Sequence, residues 1–304
     1  MVEFAYGKLR EKKLIIFGSG YVGGEVARAG IAAGAQVTAL TRNAETAERL
    51  RSSGAHVVVA DLATDGWHSA IAGGADCVVN TVSSGGAGLE GYRHSYLGGM
   101  ASIAAWAKRH GPVGTFVYTS STSVYPQDGG IEVEETASHA GVGERGQVLL
   151  AAENALRDLR EASGCARCFV LRLAGIYGPD RHHLLEQVRA GTVAGVGRHR
   201  LNLIHRDDVV SAIGAALWAP AEIRDETLNV ADDRPARKEE VAAWLAERLG
   251  VAVPTFTGLP VGGRRSVTPD RVIVNRKIKR VLGWRPQFPS FREGYENILS
   301  RTAE

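Results

Sequence analysis

Leu14-Ile15-Ile16-Phe17-Gly18-Ser19-Gly20-Tyr21-Val22-Gly23 decides the fold of this chain. Four apolar residues run straight into a glycine-spaced turn, and a stretch of helical composition follows as far as Gly34. Gly18 permits a tight turn, Gly20 lets the backbone approach a diphosphate, and Gly23 lets the helix lie close on the strand. The phosphates sit on the unpaired N–H groups of the helix N-terminus. Glycines in this spacing also occur in plain turns. Here they follow a strand and open a helix, which is the setting that a dinucleotide requires.

The same rhythm continues outward. Apolar, β-rich runs at Leu14–Phe17, Gln36–Leu40, His56–Ala60, Asp76–Thr81, Val113–Thr119 and Arg167–Leu173 alternate with expected helices at 21–34, 44–53, 66–72, 89–110 and 144–163. Strands that are apolar throughout need cover on both faces, and right-handed crossovers supply it. The expected fold class is α/β: a Rossmann-type doubly wound parallel sheet with a smaller C-terminal substrate lobe. The nucleotide half spans 13–174, with 202–231 returning to it; the lobe takes 175–201 and 232–304. Further helices are expected at 207–219, 237–249, 275–282 and 290–300, separated by Pro- and Gly-rich stretches.

Composition narrows the function. With 44% hydrophobic and 23% charged residues, the chain of 304 residues has the means to bury a core. Its 36 basic residues against 33 acidic ones are too balanced for a nucleic-acid partner. No apolar run reaches the roughly 18–20 residues of a membrane helix. MVEFAYGKLREKK lacks a secretory core, and three cysteines make no disulfide framework. A cytoplasmic protein is expected, with a small-molecule substrate and no membrane or nucleic-acid partner.

Strand ends identify the rest of the cofactor site. NAD enzymes place an acid at the end of the second strand, for the ribose 2′-OH. Here that position reads Thr41-Arg42-Asn43, and Arg42 suits a 2′-phosphate. NADP is therefore placed ahead of NAD, which remains possible, and Arg42 as a plain surface charge is the competing reading. Asp61-Leu62 ends the third strand and is a cap for adenine. Thr81-Val82-Ser83 ends the fourth and Thr119 the fifth, both lining the cleft; ordinary turn residues are the alternative at each.

The glycine loop, Thr119-Ser120-Ser121-Thr122-Ser123-Val124-Tyr125, Leu171-Arg172-Leu173-Ala174-Gly175-Ile176-Tyr177-Gly178-Pro179 and Ile204-His205-Arg206-Asp207-Asp208 occur in this order. Together they resemble the short-chain dehydrogenase/reductase superfamily, in its extended, epimerase/dehydratase-like branch. The resemblance runs from about residue 13 to 298. It implies an NAD(P)-dependent enzyme, and helices 89–110 and 144–163 match those that form a homodimer interface in that branch.

Departures from that pattern bear on the chemistry. The superfamily's acid/base pair is Tyr-x-x-x-Lys, but Arg145 falls where Tyr belongs and Leu149 where Lys belongs; no Tyr-x-x-x-Lys occurs anywhere in the chain. Ser121 matches the residue that hydrogen-bonds the reacting oxygen. Thr122 and Ser123 replace the acids of dehydratases, and Gly175 replaces an Asn common in sugar-nucleotide enzymes. The catalytic candidates are thus Ser121, Tyr125, Arg145 and Tyr177; the substrate-binding candidates are Ser121, Thr122, Arg181 and His205. Tyr125 and Tyr177 also read as packed aromatics, and His205 as a structural residue. Arg181 is expected to hold an anionic substrate group, with Gly262-Gly263-Arg264-Arg265 in support.

Cys165-Ala166-Arg167-Cys168 has a metal or redox spacing, but Cys168 opens an apolar strand and burial is expected. His182, His183 and His199 are not expected to bind metal. The leading functional reading is an NADP(H)-dependent oxidoreductase of a small carbonyl, imine or hydroxyl compound. A nucleotide-sugar epimerase and a non-catalytic dinucleotide sensor are the alternatives.

Overall fold

In the computed structural model, which describes residues 6–71, 73–84, 88–111, 113–162, 164–258 and 268–302, strand β1 (Lys13–Phe17) lies inside a parallel sheet because both of its faces are apolar. Leu14 and Ile16 enter one hydrophobic cluster while Ile15 and Phe17 enter another, on the opposite face. This alternation follows from the two-residue period of a strand. Each such side chain, fully buried, contributes about 1.5–3 kcal/mol of transfer free energy.

The sheet has seven strands: β1, β2 (Gln36–Thr41), β3 (His56–Val59), β4 (Ala75–Asn80), β5 (Val113–Ser121), β6 (Cys165–Leu173) and β7 (Asp225–Val230). Their order is β7-β6-β5-β4-β1-β2-β3, and every neighbouring pair is parallel. The chain leaves β1 toward β2 on one side and returns through β4 on the other, which opens a crevice beyond Phe17 and Asn80. The doubly wound sheet expected from the sequence is present.

The helices are α1 (Gly23–Ala32), α2 (Ala44–Ser52), α3 (Gly88–Arg93), α4 (Gly99–His110), α5 (Glu144–Glu161), α6 (His183–Arg189), α7 (Arg206–Leu217), α8 (Lys238–Leu249), α9 (Arg276–Leu282) and α10 (Phe291–Thr302). Three differences from the sequence reading have physical causes. Residues 66–71 form successive turns instead of a helix; Gly66 and Ser69 are weak helix formers, and the Trp67 indole is tied to the Leu62 carbonyl at 3.1 Å. The helix expected at 89–110 divides at a π turn, His94–Gly98. Strand β7 joins the sheet through Asp225–Val230, and its mixed polarity hid it as a strand.

A third apolar cluster unites α6, α8 and α10 through Leu185, Val188, Val241, Leu245, Phe291, Tyr295 and Ile298, with Tyr177. Ile273, Ile278 and Trp284 instead join one of the sheet clusters. No helix among the described residues is long and apolar enough to cross a membrane.

Candidate active site

The glycine loop is fastened between two strands. Gly18 and Ser19 donate their N–H groups to the Leu40 carbonyl on β2 at 3.1 and 3.3 Å. From the other side the Thr81 hydroxyl donates to Gly18 O at 2.6 Å. Gly23 has no room for a side chain, since a Cβ there would lie 2.3 Å from Gly18 O. Gly20 differs: the space ahead of its absent Cβ is empty to 4 Å, and no side chain caps the N-terminus of α1. An open backbone at an uncapped helix start fits a dinucleotide diphosphate.

A cleft of about 660 Å³ runs along the strand ends. It is lined by Gly18, Ser19, Gly20, Tyr21, Val22, Thr41, Arg42, Asn43, Asp61, Leu62, Thr81, Val82, Ser83 and Thr119. Of the residues that the sequence assigns to the cofactor, Gly23 alone stands behind the wall. At one end, Asn43 caps α2 by accepting from Thr46 N at 2.7 Å, and its own N–H donates to the Thr41 hydroxyl at 3.2 Å. Arg42 is left with half its side chain exposed, its guanidinium 3.8 Å from Asp61. His94 meets the same Asp61 oxygen at 3.0 Å. Burial raises the Asp61 pKa, but the Ala63 N–H, His94 and Arg42 together outweigh it and hold the carboxyl below its ordinary value.

At the other end Ser121 closes β5, its hydroxyl oxygen accepting from Ser123 N at 3.2 Å. Ser120, Ser121, Thr122 and Arg181 all line the cleft. Arg181 and Arg206 lie over the ring of Tyr21 at 5.5 and 5.2 Å, and the Tyr21 hydroxyl donates to Pro179 O at 2.7 Å. This fastens the glycine loop to the segment after β6. The sequence reading missed Ser95, Tyr96 and Leu173–Ile176, which also line the space. Tyr92 and Tyr96, one helical turn apart, were the available signal for a wall there, but the π turn sets which way Tyr96 points.

Four candidates prove to lie elsewhere. Tyr125 is buried, accepting from Arg172 at 2.8 Å and donating to Asn229 at 2.8 Å; burial pushes its phenol up to about 12. Tyr177 packs under α10 against Tyr295 at 5.0 Å and borders a smaller cavity beside the cleft rather than the cleft itself; burial holds its phenol far above the ordinary value. Arg145 lies over the Tyr92 ring at 5.7 Å and is not part of the cleft wall, while Leu149 sits in the core. His205 is fully buried, caps α7 by accepting from Asp207 N at 3.3 Å and packs on Phe288 at 4.0 Å. These four are corrections to the expected cleft: their rings and chains were spent on packing.

Burial pulls the His205 pKa down from 6.5 to about 4. As pH falls through that window the unfolded chain takes a proton that the folded chain refuses, so this residue weakens folding in acid. Burial pushes neighbouring Asp208 the other way, from 3.8 up to about 6, so the folded chain binds its proton first and gains stability over much the same window. His205→Asn removes the first effect and keeps a cap acceptor. Its melting temperature will therefore rise relative to the parent as pH is lowered from 6.5 toward 4, as thermal unfolding at stepped pH will show. A constant difference across the window refutes this.

The histidines disperse: His182 meets Gly178 O, His183 meets Glu186, and His199 meets Thr268 O. Among the described residues no three His, Cys, Asp or Glu gather as a metal site. Cys165 and Cys168 are buried free thiols. Gly262-Gly263-Arg264-Arg265 lies outside the described residues.

Comparison with known proteins locates the chain. Protein YeeZ of Escherichia coli strain K12 is 30% identical over 284 residues, 91% of this chain and 97% of that one. A 3-diazoavenalumate denitrifying reductase from a Streptomyces species is 29% identical over 143 residues, 41% of this chain and 45% of that one. MoeE5, solved with UDP-glucuronic acid and NAD, shares the fold with a TM-score of 0.81 at 20% identity, over 96% of this chain and 99% of that one. The family match spans residues 14–231, from within β1 to just past β7, so nearly all of the sheet and the cleft at its edge fall inside it: the chain belongs to the NAD dependent epimerase/dehydratase family.

Proposed function

We propose that the protein is an NADP(H)-dependent oxidoreductase of a small carbonyl, imine or hydroxyl compound, working without a tyrosine–lysine pair. The observation that carries this reading is one continuous cleft with Arg42 at one end and Ser121 at the other. Arg42 is a half-exposed guanidinium whose one ion pair among the described residues is a long contact to Asp61, which suits a 2′-phosphate. A bound nicotinamide dinucleotide supplies or takes up a hydride. Gly18–Val22 and the start of α1 hold its diphosphate. Ser121 donates to the reacting oxygen or nitrogen and sets its orientation. Leu149 in the core and Arg145 over Tyr92 leave the two positions of the usual tyrosine–lysine pair without a proton donor. The named reductase activity of the Streptomyces relative favours this reading over the epimerase, as does Gly175 in place of the sugar-nucleotide asparagine.

Titration of the purified protein with NADPH and NADH, after assay for copurified nucleotide, tests it. NADPH is expected to bind more tightly. Arg42→Ala will weaken NADPH by about tenfold, the worth of one charge-assisted hydrogen bond, and leave NADH nearly unchanged. An equal loss for both removes the 2′-phosphate assignment. Tightly retained NAD moves the reading to an epimerase, and binding of neither abandons redox chemistry. Once a substrate is in hand, Ser121→Ala is expected to lower kcat by roughly tenfold with NADPH affinity intact. Unchanged turnover removes Ser121 from the chemistry.

A further inference from the structure

A second cavity of about 230 Å³ adjoins the cleft and shares Gly175, Ile176 and Arg181 with it. Its wall joins Ile176, Leu184, Leu201, Leu203, Tyr177 and Tyr295 to the polar side chains of His182, His183 and Gln187. Lys238 and Arg181 supply cations, and no acid is among the lining residues. Lys238 is half-buried at the start of α8. Its ammonium donates to the Ala194 carbonyl at 2.5 Å, and among the described residues it has no carboxylate partner. Burial alone displaces its pKa, downward, with no acid acting against the shift. A desolvated cation without a counter-charge is costly to fold around; the cost is offset when a ligand brings the missing anion. Nor does Arg181 pair with any carboxylate among the described residues; it lies over the ring of Tyr21.

We propose that this second cavity is the substrate subsite and takes a compact organic anion with an apolar body, its charge met by Lys238 and Arg181. The word substrate rests on the oxidoreductase reading; the anion site itself does not. At ~30 Å³ for each water in the liquid, the cavity has room for about eight water molecules. That space is suited to a molecule the size of an aryl or short alkyl carboxylate. The shared residues put the anion's body beside the Ser121 end of the cleft, as hydride transfer to a neighbouring carbon requires.

The test uses benzoate, phenyl phosphate and the neutral isostere benzamide, titrated calorimetrically into the whole protein with and without saturating NADP. At least one anion is expected to bind ten or more times as tightly as benzamide, and the stronger of the two identifies carboxylate or phosphate as the recognised group. Lys238→Met and, separately, Arg181→Met are expected to abolish that preference while leaving benzamide binding as it was. Arg181 is exposed and its replacement will fold, so it decides the matter should Lys238→Met prove unstable. Equal affinity for anions and amide, or a preference that survives both replacements, overturns the proposal. A protein that selects benzoate through Lys238 yet binds no NADPH keeps the anion site and loses the oxidoreductase reading. One that binds NADPH without selecting either anion does the reverse.

Discussion

Replacing Gly18 by alanine will lower NADPH affinity by about tenfold or more, the worth of a lost hydrogen bond to a charged diphosphate, and the melting temperature by about 2–8 °C, at about 2–4 °C per kcal/mol. Gly18 has φ +84°, where an L-residue pays about 1–2 kcal/mol. Its Cβ would also come within 2.6 Å of the backbone N and Cα of Val82. Backbone does not rotate aside as a side chain does, so the loop has to move. Movement draws Gly18 and Ser19 off the Leu40 carbonyl, and Gly18 O off the Thr81 hydroxyl. Gly20→Ala separates the two effects. Its φ is not in the left-handed region, and the space ahead of its Cβ is empty, so melting will stay within about 1 °C of the parent. The methyl there takes the room that the diphosphate needs, and NADPH affinity falls without loss of fold. If Gly18→Ala melts early yet binds NADPH as before, the loop is a structural turn and the diphosphate site lies elsewhere.

This contrast also marks where the sequence was readable. Turns such as Gly18 impose local backbone demands that only certain residues meet, and buried strands such as β1 impose a composition. Both are therefore visible in single residues and short runs. The strand ends followed, because topology brings them to one edge of the sheet, and Arg42, Asp61, Thr81 and Ser121 all line one cleft. Side-chain direction was not readable in this way. Tyr125 and Ser121 are four residues apart, yet the short 3-10 turn Thr122–Val124 sends one into the core and leaves the other at the cleft. Tyr96 depends on the π turn, which no residue type announces. The second cavity needed Arg181, Leu203 and Lys238 to meet, and their closeness is set by packing in the third cluster rather than by spacing.

The other large effect is expected beneath the cleft floor, where Arg172→Leu will destabilise the protein by about 3–5 kcal/mol. Glu153 is wholly buried and Arg172 nearly so. The guanidinium grips the carboxylate at 2.8 and 3.1 Å, while Ser120 donates to it at 2.6 Å. Without Arg172, Glu153 keeps Ser120 and one distant Arg157 contact at 3.5 Å, too little for a buried charge. Urea denaturation of the variant beside the parent will measure the deficit. Glu153→Leu with Arg172→Leu removes both charges and is expected to recover most of the loss, since apolar replacements of a buried pair often match it. A single variant no less stable than the double one would show that the pair contributes nothing beyond its volume. Because Ser120 and Tyr125 flank Ser121 in sequence and both bond into this network, the double variant also separates folding from placement. If it folds fully but Ser121-dependent turnover falls, the network's role is to aim the end of β5 at the cleft.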